Sequence, residues 1–287
     1  MKYVISIDLG ATNVRVGIIS SELDIIAVTR ESTIKNDKYA LASQIIRMIK
    51  SLPINDYKIE YIGVSACGLI KNNHVEILPN LYISDFQLNK ILENEFNIPC
   101  NIVNDANATA LSEATFGAGK GFDTSYFITI SSGIGGCLVY NNKLIDLPFE
   151  LGHHLISFEG NDYEIEEILS GNGICKFCAI NSLNIGCAYD FFKLCKEDNK
   201  NALSILDKYT TLLANMFYNI QLDYNTDCII LSGGVMKSAD LFFNELNEKA
   251  NRLISKYPVN KIKFVFAKFD QDAGLMGGAT VGLRNII

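Results

Sequence analysis

The chain has 287 residues, 48% of them hydrophobic, and a mean hydropathy of +0.16. That is apolar material for two cores, yet no stretch approaches the roughly 18 uncharged residues of a membrane span. A net charge of -7 and a pI near 5.1 argue against a nucleic-acid surface. The opening Met1-Lys2-Tyr3-Val4 runs directly into an apolar strand, so we expect no signal peptide, no N-terminal DNA-binding module and a cytoplasmic location.

In chain order, apolar periodicity predicts strands near 3–8, 14–20 and 23–31. A helix follows near 38–52, with Leu41, Ile45, Ile46 and Ile49 on one face, then a strand near 59–66 and a helix near 86–96. The second half predicts a strand over 101–104, a helix near 107–116, and strands near 125–131, 136–140 and 143–145. Helices then run from about 164 to 222, followed by a strand over 227–231, a helix near 238–256, a strand over 261–266 and a terminal helix near 272–284. Three meander strands followed by helix and strand, done twice, predict a duplicated α/β fold with two lobes around a cleft.

Each half carries a glycine-marked hairpin, Ile7-Asp8-Leu9-Gly10-Ala11-Thr12-Asn13 and Thr129-Ile130-Ser131-Ser132-Gly133-Ile134-Gly135-Gly136. Both have the same layout: apolar strand, turn of small residues, apolar strand. Turns without bulky Cβ groups let backbone N–H groups approach an anion, and the hydroxyls of Thr12, Ser131 and Ser132 add donors. Small residues in one such turn can serve the turn alone; two matching hairpins point to phosphate. The first hairpin lacks G-x-G-x-x-G before a helix, and Gly117-Ala118-Gly119-Lys120-Gly121 lacks P-loop spacing.

Of the eight cysteines, Cys67, Cys100, Cys137 and Cys228 lie in apolar segments and read as small buried hydrophobes. Cys175 and Cys178, with Cys187 and Cys195, have the makings of a zinc quartet. The segment from Ile174 to Ile180 reads as a helix, however, and no His or Gly knuckle supports a metal turn.

Five motifs in order carry a resemblance: Asp8-x-Gly10-Ala11-Thr12, Asn104-Asp105-Ala106-Asn107, Ser132-Gly133-Ile134-Gly135-Gly136, Glu150-Leu151-Gly152-His153 and Ser232-Gly233-Gly234. In this the chain resembles the ROK family of sugar kinases and repressors, which share the actin, hexokinase and Hsp70 (ribonuclease H-like) fold. The resemblance implies phosphorylation of a hexose or N-acetylhexosamine by ATP with Mg2+, and a homodimer; the acidic charge and the lack of a long apolar stretch lead us to expect no nucleic-acid or membrane partner. Within the family the sequence is most similar to bacterial N-acetylmannosamine kinases of sialic acid breakdown that lack the zinc motif. We expect residues 1–115 with 272–287 to form one lobe and 116–271 the other.

The resemblance also implies roles. Asp105 matches the catalytic base that takes the proton of the sugar 6-hydroxyl; its plain alternative is an N-cap for a helix beginning near Asn107. Asp8 would hold Mg2+ through water, or is a turn residue. Asp8, Gly10, Ala11, Thr12, Asn13, Ser131, Ser132, Gly133, Gly135 and Gly136 would line the phosphates, and Gly233 and Gly234 the adenosine. Gly68, Asn80, Asn104, Asp105, Glu150, His153 and Glu166 would contact the sugar. His154 competes for the histidine role, Glu167 and Glu164 are register alternatives to Glu166, and all three glutamates could be the solvated face of a first helical turn. The small residues from Asp272 to Ala279 read as close helix packing.

The chain departs from the family after His153. Members carry C-x-C-G-x-x-G-C between this His and the next sugar-binding Glu, and their cysteines and His hold zinc. Here Ser157-Phe158-Glu159-Gly160-Asn161-Asp162-Tyr163-Glu164-Ile165 contains no cysteine, so we expect no structural zinc. Two further readings stand beside the kinase: a sugar-responsive regulator, disfavoured by the acidic charge, and an actin-like ATPase, for which the Glu-Leu-Gly-His group would be superfluous. Glucose, fructose and N-acetylglucosamine remain alternative acceptors.

Overall fold

The computed structural model describes residues 1–145 and 150–286. The chain divides into two compact units, Met1–Gly117 joined by the segment from Phe269 onward, and Ala118–Lys268.

The first unit opens with the meander β1 (Tyr3–Leu9), β2 (Asn13–Ser20) and β3 (Ile25–Ser32), followed by helix α1 (Lys38–Lys50). Then come β4 (Ile59–Ala66), β5 (Leu69–Lys71), β6 (His74–Leu78), β7 (Ile83–Phe86), α2 (Leu88–Phe96), β8 (Cys100–Asn104) and α3 (Asp105–Thr115). The main sheet has the order β3-β2-β1-β4-β8, with β4 and β8 parallel to β1. Strand alternation sends Ile5, Ile7 and Leu9 to one face, where they meet Leu41, Ile45, Met48 and Ile49 of α1. Asp37 starts that helix, its Oδ1 accepting from the N–H groups of Tyr39 and Ala40. The strands β5, β6 and β7 form a separate antiparallel sheet that the periodicity did not predict. They are short, and the β5–β6 turn Asn72-Asn73 needs positive φ at both positions (50° and 60°), which asparagine tolerates.

The second unit repeats the plan with β9 (Thr124–Ile130), β10 (Ile134–Tyr140) and β11 (Lys143–Leu144). A second unpredicted feature follows, the hairpin β12 (Leu155–Phe158) and β13 (Asn161–Glu164). Helices α4 (Ile165–Leu169), α5 (Gly173–Ile180), α6 (Ala188–Lys196) and α7 (Lys200–Tyr224) resolve the long helical stretch. The unit closes with β14 (Cys228–Ser232), α8 (Phe243–Ile254) and β15 (Phe264–Phe266), in the sheet order β11-β10-β9-β14-β15. The helix expected from 238 begins at Phe243, because Gly234–Leu241 is wound as 3-10 turns broken at Ser238. Phe177, Phe191, Tyr209 and Phe217 fill the core, and the buried Tyr209 hydroxyl donates to the Leu169 carbonyl at 2.7 Å.

Helix α9 (Ala273–Leu283) belongs to the first unit and covers the sheet face opposite α1. Its glycines set the approach distance: a Cβ on Gly63 of β4 would sit 2.0 Å from the Gly278 carbonyl oxygen. Both residues must lack side chains for the helix to lie this close.

Candidate active site

In the first unit, pairing builds a row of side chains across the sheet. Asp8 lies opposite Arg15 on β2 and Ser65 on β4, and Arg15 lies opposite Arg30 on β3. Directly paired residues share a face, so Ser65, Asp8, Arg15 and Arg30 point to the α9 side. A Cβ on Gly274 would meet Asp8 Oδ1 at 2.3 Å, so that glycine makes room for the carboxylate. Arg15 is fixed by α9's approach segment, Nη1 donating to the Gln271 carbonyl at 2.9 Å and Nη2 to Asp272 Oδ1 at 2.5 Å. A cavity of about 670 Å³ opens here, lined by Asp8, the turn residues Gly10, Ala11, Thr12 and Asn13, and Arg30.

Burial pushes the Asp8 pKa up to about 6, with Arg15 drawing it down and Asp105 pushing it further up. Among the described residues no side chain hydrogen-bonds the Asp8 carboxylate, and the neighbouring Ser65 hydroxyl is buried without a partner. A crowded carboxylate with free oxygens beside a second carboxylate fits a hydrated divalent cation, which takes oxygen ligands and keeps several waters.

The second carboxylate sits where β8 meets α3. Asn104 is the N-cap: its Oδ1 accepts from the N–H groups of Ala106 (3.0 Å) and Asn107 (3.3 Å). The helix therefore begins at Asp105, two residues before the predicted start, and the capping alternative for Asp105 is replaced by Asn104 in that role. Asp105 Oδ1 accepts from the Ala106 N–H at 2.9 Å. The carboxyl reaches solvent, but the protein packed around it raises its pKa, against the lowering pull of the local N–H donors and Asn104. The Asn104 Nδ2 donates to the Gly68 carbonyl at 2.9 Å, tying β8 to the end of β4. The Gly68 N–H in turn donates to the Ala66 carbonyl, and a Cβ there would strike the Ile77 carbonyl oxygen at 2.3 Å. Asn80 stands apart, exposed in the 3-10 turn Pro79–Leu81 and with no hydrogen bond to these residues.

In the second unit the turn between Ile130 and Ile134 holds three residues, Ser131, Ser132 and Gly133, one fewer than the four between Leu9 and Val14. The two hairpins are thus similar in layout and different in length. Ser131 gathers two other turns: its carbonyl accepts from the Gly171 N–H at 2.6 Å and its hydroxyl from the Gly234 N–H at 3.4 Å. Gly233 adopts φ 103°, and a Cβ there would lie 2.3 Å from the Ile130 carbonyl oxygen. Gly234 has open space around its Cα, Gly135 only ordinary contact with Thr129, and Gly136 is buried against the Tyr126 ring.

The three candidate glutamates separate. Glu166 turns under the hairpin, its Oε2 accepting from the Ile134 N–H at 2.7 Å and filling the space a Gly133 side chain would need. Glu167 faces outward and pairs with Lys176. Glu164 accepts from His153, whose Nδ1 lies 2.8 Å from its Oε2. That bond is the chief cause of the raised His153 pKa, with Glu150 and Glu166 adding to it. His153, Glu150, Glu164 and Glu166 therefore lie within electrostatic reach of one another, whereas His154 lines a small separate cavity with Leu155 and Met216. Among the described residues no three His, Cys, Asp or Glu side chains gather as a metal site, and Cys178 and Cys195 are buried in helices.

Several residues at these sites escaped the sequence reading. Arg15 carried a signal, a half-buried charge in an otherwise apolar strand; Arg30, exposed in the polar run Thr29–Ser32, and Cys67, whose N–H donates to the Leu9 carbonyl, carried none.

Comparison with known proteins bears on these arrangements. A glucokinase of Thermotoga maritima is 27% identical, the match covering 97% of this chain and 96% of that one. An N-acetylmannosamine kinase of Yersinia pestis is 23% identical over 96% of both. The crystal structure of a ROK hexokinase from Thermus thermophilus superposes with a TM-score of 0.84 at 23% identity, covering 99% of both chains, so the fold is the actin-like ATPase fold. The model of the ROK family matches residues 4–284, nearly the whole sequence, and the chain belongs to the ROK family.

Proposed function

We propose that this protein is an ATP-dependent sugar kinase that phosphorylates the 6-hydroxyl of N-acetylmannosamine, as one step of amino-sugar breakdown. The observation that carries the reading is Asp105: an exposed carboxylate at the head of α3, held by the Ala106 N–H, whose packed surroundings raise its pKa. A general base works best when its pKa approaches the operating pH. It would accept the hydroxyl proton as the sugar oxygen bonds to the γ-phosphorus and the bond to ADP breaks. Asp8 would hold Mg2+ through water, and that ion would supply charge neutralisation at the phosphate oxygens. The Gly10 and Ser131 N–H groups close the two turns, donating to the Asn13 and Gly133 carbonyls; Ala11, Thr12, Ser132 and Gly133 would offer N–H groups to phosphate, and Gly233 and Gly234 would leave room for the adenosine. Glu150, His153 and Glu166 supply paired acceptors for ring hydroxyls, alongside Gly68, Asn80 and Asn104. The N-acetylmannosamine kinase of Yersinia pestis supports this acceptor; the higher identity of the Thermotoga maritima glucokinase favours glucose as the second reading.

The test is ADP release over a panel of hexoses and N-acetylhexosamines with MgATP. N-acetylmannosamine should give the highest kcat/KM; preference for glucose would establish the second reading, and no turnover with any sugar would refute both. Light scattering during gel filtration tests the homodimer, for which two protomers per particle are expected.

A further inference from the structure

The cysteine-free segment from Ser157 to Ile165, where the family resemblance led us to look for a zinc motif, folds largely as a β-hairpin with its own supports. Leu155 pairs with Glu164, Ile156 with Tyr163, Ser157 with Asp162 and Phe158 with Asn161. The turn Glu159-Gly160 has φ of 51° and 78°, the paired positive values of a two-residue hairpin turn. Phe158 packs on Phe177 with ring centroids 5.0 Å apart, and Lys208 reaches Glu159 at 3.0 Å. The Ile165 N–H donates to the His154 carbonyl at 2.8 Å, extending the ladder past Glu164. Glu164 is therefore held at a fixed height beside His153, and its carboxylate takes the ring by Nδ1.

That bond has a chemical consequence. In the neutral ring a carboxylate on Nδ1 selects the tautomer with the proton on Nδ1 and leaves the Nε2 lone pair outward; in the imidazolium that the same carboxylate favours, Nε2 presents an N–H there. Among the described residues Nε2 has no partner, and the His153 side chain is 59% exposed. A contact this exposed adds little stability, and what it fixes is the direction of the ring.

We propose that Glu164 is a positioning residue for the sugar: it fixes the His153 imidazole and presents Nε2 to a sugar hydroxyl, so that a hairpin carboxylate orients the ring with no metal ion. The proposal rests on the sugar-kinase reading. Glu164 does not touch the sugar, and its effect passes through His153.

Two variants and two readouts test it. Glu164→Ala should raise the sugar KM about tenfold with kcat within about threefold of wild type. Glu164→Gln keeps an acceptor oxygen and should restore most of that loss. Nitrogen NMR of the ring signals, tractable with three histidines in the chain, should show His153 protonated on Nδ1 in the wild type and shifted toward Nε2 in Glu164→Ala. Sugar turnover with an unchanged KM and an unchanged tautomer in Glu164→Ala would overturn the proposal alone. Equal losses in Glu164→Ala and Glu164→Gln, with kcat falling as far as KM rises, would overturn it in favour of a structural role. A wild type that phosphorylates no sugar would overturn the function and this proposal together.

Discussion

The two halves of the chain use one strand plan for different chemistry. In β1 the penultimate residue is Asp8, opposite Arg15 and beside Ser65; in β9 the penultimate residue is Thr129, beside Ser232 of β14. The first hairpin thus carries its own carboxylate, crowded until its pKa rises to about 6. The second carries hydroxyls, with Thr129 and Ser131 oxygens 3.3 Å apart, and borrows a carboxylate from Glu166 of α4. The strand plan recurs, with turns of four and three residues. The charge was then set by single positions, which makes the two hairpins separable by mutation.

The largest effect expected is on Asp105. Asp105→Asn removes the proton acceptor and should lower kcat by at least about 100-fold, with the sugar KM little changed. Preserved turnover would reduce Asp105 to a helix-start residue. Next, Asp8→Asn should lower kcat and raise the Mg2+ concentration needed for half-maximal rate, while Thr129→Val at the corresponding place should change kcat by less than about threefold. Equal losses at both would mean that the hairpins are chemically alike.

Backbone geometry gives a third contrast. Gly63→Ala should destabilise the first unit by about 2–3 kcal/mol, because its Cβ would press on the Gly278 carbonyl, and chemical denaturation would measure it. In the second unit Gly233→Ala should weaken folding through its positive φ, whereas Gly234→Ala, in open space, should leave stability unchanged.

The smallest effect concerns Glu31, which Arg47 and Gln44 hold at a pKa of about 2. A depressed carboxylate stabilises the fold above its unfolded pKa and loses that contribution as pH falls through its folded value. The Tm difference between wild type and Arg47→Ala should therefore be small near neutrality and shrink between about pH 5 and pH 2. A difference that grew on acidification would contradict the pairing.

Much of this was legible in the residues. Apolar runs predicted the central strands of both main sheets, since β1, β2, β4, β9 and β14 bury most of their residues, and the small residues of α9 predicted its close packing. The sheet β5-β6-β7 and the hairpin β12–β13 were not predicted, because their strands of three to five residues are too short to show a period. In the site, motif order brought forward Asp8, Asp105 and Glu166. It did not show that Asn104 is the cap or that Glu164 takes His153, since both depend on side chains meeting across a turn.

The most direct measurement is phosphorus NMR of the wild-type protein with MgATP and N-acetylmannosamine. The predicted result is one phosphomonoester, on the 6-hydroxyl, growing in step with ADP. ADP accompanied only by inorganic phosphate, or ATP left intact, would contradict the assignment of this protein as a sugar kinase.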